Sequence, residues 1–142
     1  MPPENRRNGT SARVASELRY LLDTNICIYI LDAARPSLRV KLEQQPVGSL
    51  ATSAIVLAEI LRGIDLADRQ AMAKLAALLA IVPALPFDAA AAEAYAGLPF
   101  RRGRFDRLIA AHALSRGLTI VTGNTVDFAD VPGLAVEDWM QP

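Results

Sequence analysis

Three acidic side chains, Asp23, Asp106 and Asp127, stand at or near the places where loops leaving a parallel sheet would carry them, and a fourth, Glu59, is one helix removed. Asp23 follows the apolar triplet Tyr20-Leu21-Leu22, Asp106 precedes Leu108-Ile109-Ala110, and Asp127 lies just beyond the apolar run that ends at Thr122. Singly, each aspartate has an ordinary use: Asp23 and Asp106 as helix N-caps, Asp127 in a turn after Gly123-Asn124. Glu59 is harder to place, because it interrupts Ala54-Ile55-Val56-Leu57-Ala58 and Ile60-Leu61, a helix apolar nearly all round and so expected to be largely buried. A surface pair with Arg62 is worth only about 0.3 kcal/mol. An inward carboxylate without compensation costs far more, and needs a cation or a proton. Four carboxylates converging on one crevice repel one another, and a divalent ion that prefers oxygen ligands, Mg²⁺ or Mn²⁺, relieves that repulsion. A site of that kind activates water and neutralises phosphate charge, so a phosphodiester is its natural substrate.

The elements that must position these acids follow from caps and periodicity. A short strand over Tyr20 to Leu22 leads to a helix from about Asn25, and a second helix starts at Pro36 and ends at Gln45 and Pro46. Ser49 to Thr52 reads as a strand, with Ser53 capping a helix that runs to Gly63. An Ala/Leu helix is expected from Leu66 to Ala80, then a strand from Ile81 to Leu85. Asp88 caps an alanine-rich helix to Gly97, Arg101 to Arg104 form a basic loop, and Asp106 opens a last helix closed by Gly117. Leu118 to Thr122 and Leu134 to Val136 complete the strands. Alternating strands and helices predict an α/β fold, a three-layer α/β/α arrangement around a mainly parallel sheet of four to five strands.

Composition sets the bounds. The 142 residues suit one domain, and 52% hydrophobic against 21% charged residues is ample for a core. Residues 1–19 carry Pro, Asn, Gly, Ser and alternating charge without apolar periodicity and read as a flexible arm, leaving 20–142 as the folded domain. Fifteen basic and fifteen acidic residues cancel, so broad attraction to phosphate is excluded and any nucleic-acid contact must be local. The single cysteine, Cys27, reads as a buried thiol. With no apolar run of membrane-spanning length and no secretory h-region, a cytoplasmic protein is expected.

The chain resembles the VapC family of PIN-domain ribonucleases. The likeness rests on LLDTN at Leu21 to Asn25, SAIVLAEILRGI around Glu59, GRFDRLIAAHALSRGLTIVTGN from Gly103 to Asn124, and VDFADVPGLAVEDW ending at Trp139. The resemblance implies a PIN domain and a Mg²⁺-dependent endoribonuclease, the toxin of a toxin–antitoxin pair, with Asp23, Glu59 and Asp106 as catalytic metal acids. Asn124 and Asp127 share the region of the last acid, and Asp127 is taken as the fourth. It implies further that a VapB-type antitoxin restrains the enzyme, that RNA is the substrate, and that the chain forms homodimers. Thr24 would orient a carboxylate or a water by its hydroxyl. Two departures stand out: the arm before Tyr20 is longer than is usual in the family, and the chain between Ala94 and Phe105 is shorter than in members with an added basic segment.

Other residues are weighed with this set. Arg104 and Arg107, with Arg101 and Arg102, crowd around Asp106 and could grip RNA phosphates, although a charged loop may equally be solvated. Asn124 is a further candidate for substrate contact. His112 reads as a packed structural histidine and Trp139 as a core plug. A haloacid-dehalogenase-like phosphatase also places Asp after an apolar first strand, but it wants a second Asp where this chain has Asn25, and a loop lysine, whereas Lys41 and Lys74 fall in predicted helices. A PIN-like module that binds RNA or protein without cutting is the other alternative, and the intact acid set argues against it.

Overall fold

The computed structural model describes residues 17–99 and 105–140. Their strands form one five-stranded sheet in the order β3-β2-β1-β4-β5, with every pairing parallel. The strands are β1 (Tyr20–Leu22), β2 (Leu50–Ser53), β3 (Ala84–Leu85), β4 (Thr119–Val121) and β5 (Val136–Glu137). Central β1 pairs Leu21 with Ala51 on one side and with Ile120 on the other. These three residues are wholly buried, as a strand covered on both faces requires.

Six helices are described: α1 (Thr24–Leu31), α2 (Pro36–Glu43), α3 (Ala54–Arg62), α4 (Arg69–Ile81), α5 (Ala89–Ala96) and α6 (Phe105–Arg116). Their starts follow the expected chemistry. Asp23 accepts from the Ile26 N–H, Ser53 from Ile55 and Asp88 from Ala91, and Pro36 opens α2. Gly117 closes α6 at φ +67, and the Leu118 N–H returns to the Ala113 carbonyl, a left-handed exit at which a side chain would be strained.

The boundaries around the fourth helix differ most from the sequence reading. The fourth helix begins at Arg69, because Asp68 rather than Leu66 supplies the cap, accepting from the Gln70 and Ala71 N–H groups. It also runs on through Ile81, so β3 is only Ala84–Leu85: Val82 still bonds back to the Leu78 carbonyl, and Pro83 then breaks the helix and offers only its carbonyl, to Thr52. Residues just before Tyr20 also make contacts with the sheet and core. The Arg19 N–H donates to the Ser49 carbonyl, the Arg19 carbonyl accepts from Thr119, and Leu18 packs on the core.

Helix α1 packs on α3 and α4, and α5 runs along α6. Sequence order runs outward from β1 to β2 and β3 on one side and through β4 to β5 on the other, so the order reverses between β1 and β4. Right-handed crossovers then put helices on both faces. The crevice at the carboxyl ends of β1 and β4 is where this architecture admits a ligand.

Candidate functional site

Asp23 occupies that reversal point. It directly follows β1, its N–H donates to the Val121 carbonyl at the end of β4, and the residue is 5% exposed. Its carboxylate does two jobs, capping α1 through the Ile26 N–H at 3.0 Å and accepting from the Thr122 hydroxyl. Burial nevertheless dominates and pushes its pKa up to about 6, with the charges of Asp106 and Glu59 adding to the rise and the two hydrogen bonds opposing it. Desolvation outweighs local satisfaction here, the signature of a carboxylate placed for something other than stability.

Glu59 is brought to this centre from α3. It is half-buried rather than paired on the surface with Arg62, and the Thr24 hydroxyl donates to its Oε1 in a short contact. The Thr24 hydroxyl thus meets one particular carboxylate, one that lies 35 residues away in sequence. Asp106 arrives on the first turn of α6, where a negative charge suits the helix N-terminus. The α3 and α6 helices are tied by a buried strut: Nδ1 of fully buried His112 lies 2.8 Å from Ser53 Oγ, and the ring meets Phe87 edge-on at 5.4 Å. Burial holds the His112 pKa below its usual value, and the ring is packed inside the fold, as expected from the sequence.

The remaining candidates separate. Asp127 lies in a 3-10 turn, Thr125–Phe128, that the sequence did not announce, and Phe128 anchors that turn in the core. Asn124 is exposed just before it, its N–H donating to Thr122 Oγ1 at 2.9 Å. Arg107, expected to reach RNA phosphates, is turned inward instead. It is 2% exposed, and its Nη2 donates to Asp130 Oδ1 and to the Asp127 carbonyl. The geometry corrects that expectation, because a guanidinium desolvated and spent on an internal carboxylate is not presented to a phosphate. Arg104 and the rest of the basic stretch lie outside the described residues. The residue missed by the sequence reading is Thr122, wholly buried at the end of β4 and bonded to Asp23. A hydroxyl at the end of the strand neighbouring β1 was its only signal.

The donor set of Asp23, Glu59 and Asp106 fits a divalent cation in kind. All are oxygen donors, and the repulsion that Asp106 and Glu59 exert on Asp23 is what such an ion would relieve. As they stand, no three His, Cys, Asp or Glu side chains among the described residues close into a ready coordination shell.

Residues 20–134 match the PIN domain family, and the chain belongs to it. Among its relatives is the tRNA(fMet)-specific endonuclease VapC of Shigella flexneri, 36% identical over 133 residues that span 86% of this chain and 98% of that protein. The toxin–antitoxin complex VapBC2 of Rickettsia felis, solved with a DNA fragment from its promoter, contains a chain that superposes with a TM-score of 0.76 at 32% identity, covering 86% of this chain and 99% of that one. A DNA-bound VapBC of Salmonella typhimurium gives 0.75 at 31% identity, covering 86% and 98%. Membership of this family sets the phosphatase alternative aside.

Proposed function

We propose that this chain is the toxin of a VapBC-type pair: a cytoplasmic, Mg²⁺- or Mn²⁺-dependent endoribonuclease that forms homodimers and is restrained by a small VapB-type antitoxin. The observation that carries the reading is a buried carboxylate, Asp23, at the point where the strand order reverses, with the charges of Asp106 and Glu59 near enough to help raise its pKa. The names of the relatives support nuclease activity, and the complexes they form support the antitoxin as partner. No helix among the described residues is long and apolar enough to cross a membrane.

When bound, the divalent ion supplies water activation and neutralisation of developing phosphate charge. The chain's own residues do the rest. Asp23, fixed by the Ile26 N–H and the Thr122 hydroxyl, gives the site a rigid carboxylate. Thr24 holds Glu59 in orientation, and Asp106 adds the charge that makes a cation preferable to a proton. Asp127 completes the set in this reading, and Asn124, which is exposed, is the candidate for contact with the nucleic acid.

The test is cleavage of purified RNA with Mg²⁺ or Mn²⁺, with initiator tRNA tried first because the Shigella relative is named for that specificity. Asp23→Asn should lower the rate by about 100-fold or more, since metal-supplied stabilisation amounts to several kcal/mol. Wild type should arrest growth when expressed without its antitoxin, and the variant should not. Mn²⁺ should raise the melting temperature of wild type and do so much less for Asp106→Asn. Cleavage at equal rates in both proteins would sink the assignment of Asp23, and absence of metal-dependent cleavage by wild type would favour a PIN-like module that only binds.

A further inference from the structure

Arg107 is a buried cation that the acid set does not explain. Arginine is almost never fully buried unless paired, yet this one is 2% exposed. Nη2 donates to Asp130 Oδ1 at 2.5 Å and, more weakly, to the Asp127 carbonyl at 3.4 Å. Both acceptors sit in or just past the 3-10 turn, while Arg107 sits on the first turn of α6 beside Asp106. One side chain therefore bridges the segment that carries Asp106 and the segment that carries Asp127.

The pair is an inefficient way to gain stability. The Arg107 side chain is 3% exposed and that of Asp130 39%, so only one partner is taken out of water. Nη1 is buried with no hydrogen-bond partner among the described residues. A half-satisfied buried guanidinium contributes less than a well-packed apolar residue of its size would. Phe128, 2% exposed, already docks the turn by apolar burial. What Phe128 cannot fix, having no directional bond, is how the turn is rotated and where Asp127 points.

We propose that Arg107 is a positioning residue: by gripping Asp130 and the Asp127 carbonyl it fixes the 3-10 turn against α6, sets the placement of Asp127 relative to Asp106, and so raises the affinity of the site for a divalent cation. This rests on the reading of Asp127 as the fourth acid. A merely structural bridge moves the melting temperature and leaves the Mn²⁺ affinity of the folded protein alone. A phosphate-gripping arginine moves RNA affinity alone.

The experiment is a Mn²⁺ titration of the full chain, followed by the electron paramagnetic resonance signal of free Mn²⁺, at a temperature where each variant is folded. Asp130→Asn should raise the Mn²⁺ Kd about tenfold, as loss of an outer partner of a metal ligand typically does. Asp130→Glu, which keeps the carboxylate, should recover most of that loss. Arg107→Gln should match Asp130→Asn, and Arg107→Lys takes its place if the glutamine variant does not fold. An unchanged Kd in Asp130→Asn, with Asp127→Asn weakened, overturns the clamp while leaving Asp127 in the site. Weakening in Asp130→Asn alone, with none in a folded Arg107 variant, makes Asp130 itself the ligand and also overturns it. An unchanged Kd in Asp127→Asn removes the acid the clamp serves, and Asp23→Asn in the same series then shows separately whether the metal site stands.

Discussion

The carboxyl end of the sheet and the helical segment from α1 to α4 break the usual partition of residues in opposite directions. At the sheet end, Asp23, Thr52, Ser53, Arg107, His112 and Thr122 are polar and buried. Along the helical segment, Val40, Val47, Leu66 and Ile81 are apolar and more than half exposed. Buried polar groups cost stability unless satisfied, whereas exposed apolar groups cost little until something covers them. The first region is incomplete in its charge and, among the described residues, in its hydrogen bonds at Arg107 Nη1 and His112 Nε2, whereas the second is complete in its fold but not in its surface. In the proposed function a cation answers the first and an antitoxin the second.

The comparison is sharpened most by removing the charge at Asp23. Its folded pKa of about 6 lies above the unfolded value of 3.8, so the native state binds more protons between those pH values. The stability this group contributes is therefore full below pH 3.8 and lost as pH rises through about 6. In chelator at pH 8, Asp23→Asn should be more stable than wild type by roughly 2–3 kcal/mol, with the difference vanishing near pH 4. His112 tilts both proteins the other way, since its lowered pKa makes stability fall as pH drops below the unfolded value of 6.5. The difference between the two denaturant-unfolding curves is therefore the quantity to read. If wild type is the more stable at pH 8, the acid is satisfied without metal and the contrast between the regions collapses.

A smaller effect is expected at Ser53, which caps α3 and meets His112. Ser53→Ala should cost about 1–2 kcal/mol by urea unfolding, the loss of a cap compounded by a buried imidazole left without its partner. A loss within error would show that the strut between α3 and α6 contributes nothing. The smallest change is expected at the exposed apolar positions. Leu66→Lys should leave stability within about 0.5 kcal/mol while weakening antitoxin binding by calorimetry; unfolding instead would mean that Leu66 belongs to the core.

Much of this was legible in the sequence wherever the determining interaction is local. Caps at Asp23, Ser53 and Asp88 and the proline at 36 fixed where helices start, because each acts within a few residues of itself. Leu66 was given to a helix on its apolar character, yet Asp68 two residues later holds the cap. The acids were found as a set through their flanking motifs. What could not be read was direction. Nothing in Phe105-Asp106-Arg107 says which of two adjacent charged side chains faces inward, since that is decided by Asp130, 23 residues on. Thr122 escaped for the same reason, its partner Asp23 lying on the neighbouring strand.

Trp139, the only tryptophan, is 3% exposed, meets Tyr20 edge-on at 4.8 Å and donates from Nε1 to Glu137 Oε1 at 2.8 Å. Glu137 belongs to β5, and its carbonyl accepts from the N–H of Thr122, the residue whose hydroxyl steadies Asp23. The molecule thus has an intrinsic fluorophore wired to the rim of its reactive crevice. Emission from that indole reports whether the last strand is docked, and it does so without a label and without disturbing any of the four acids.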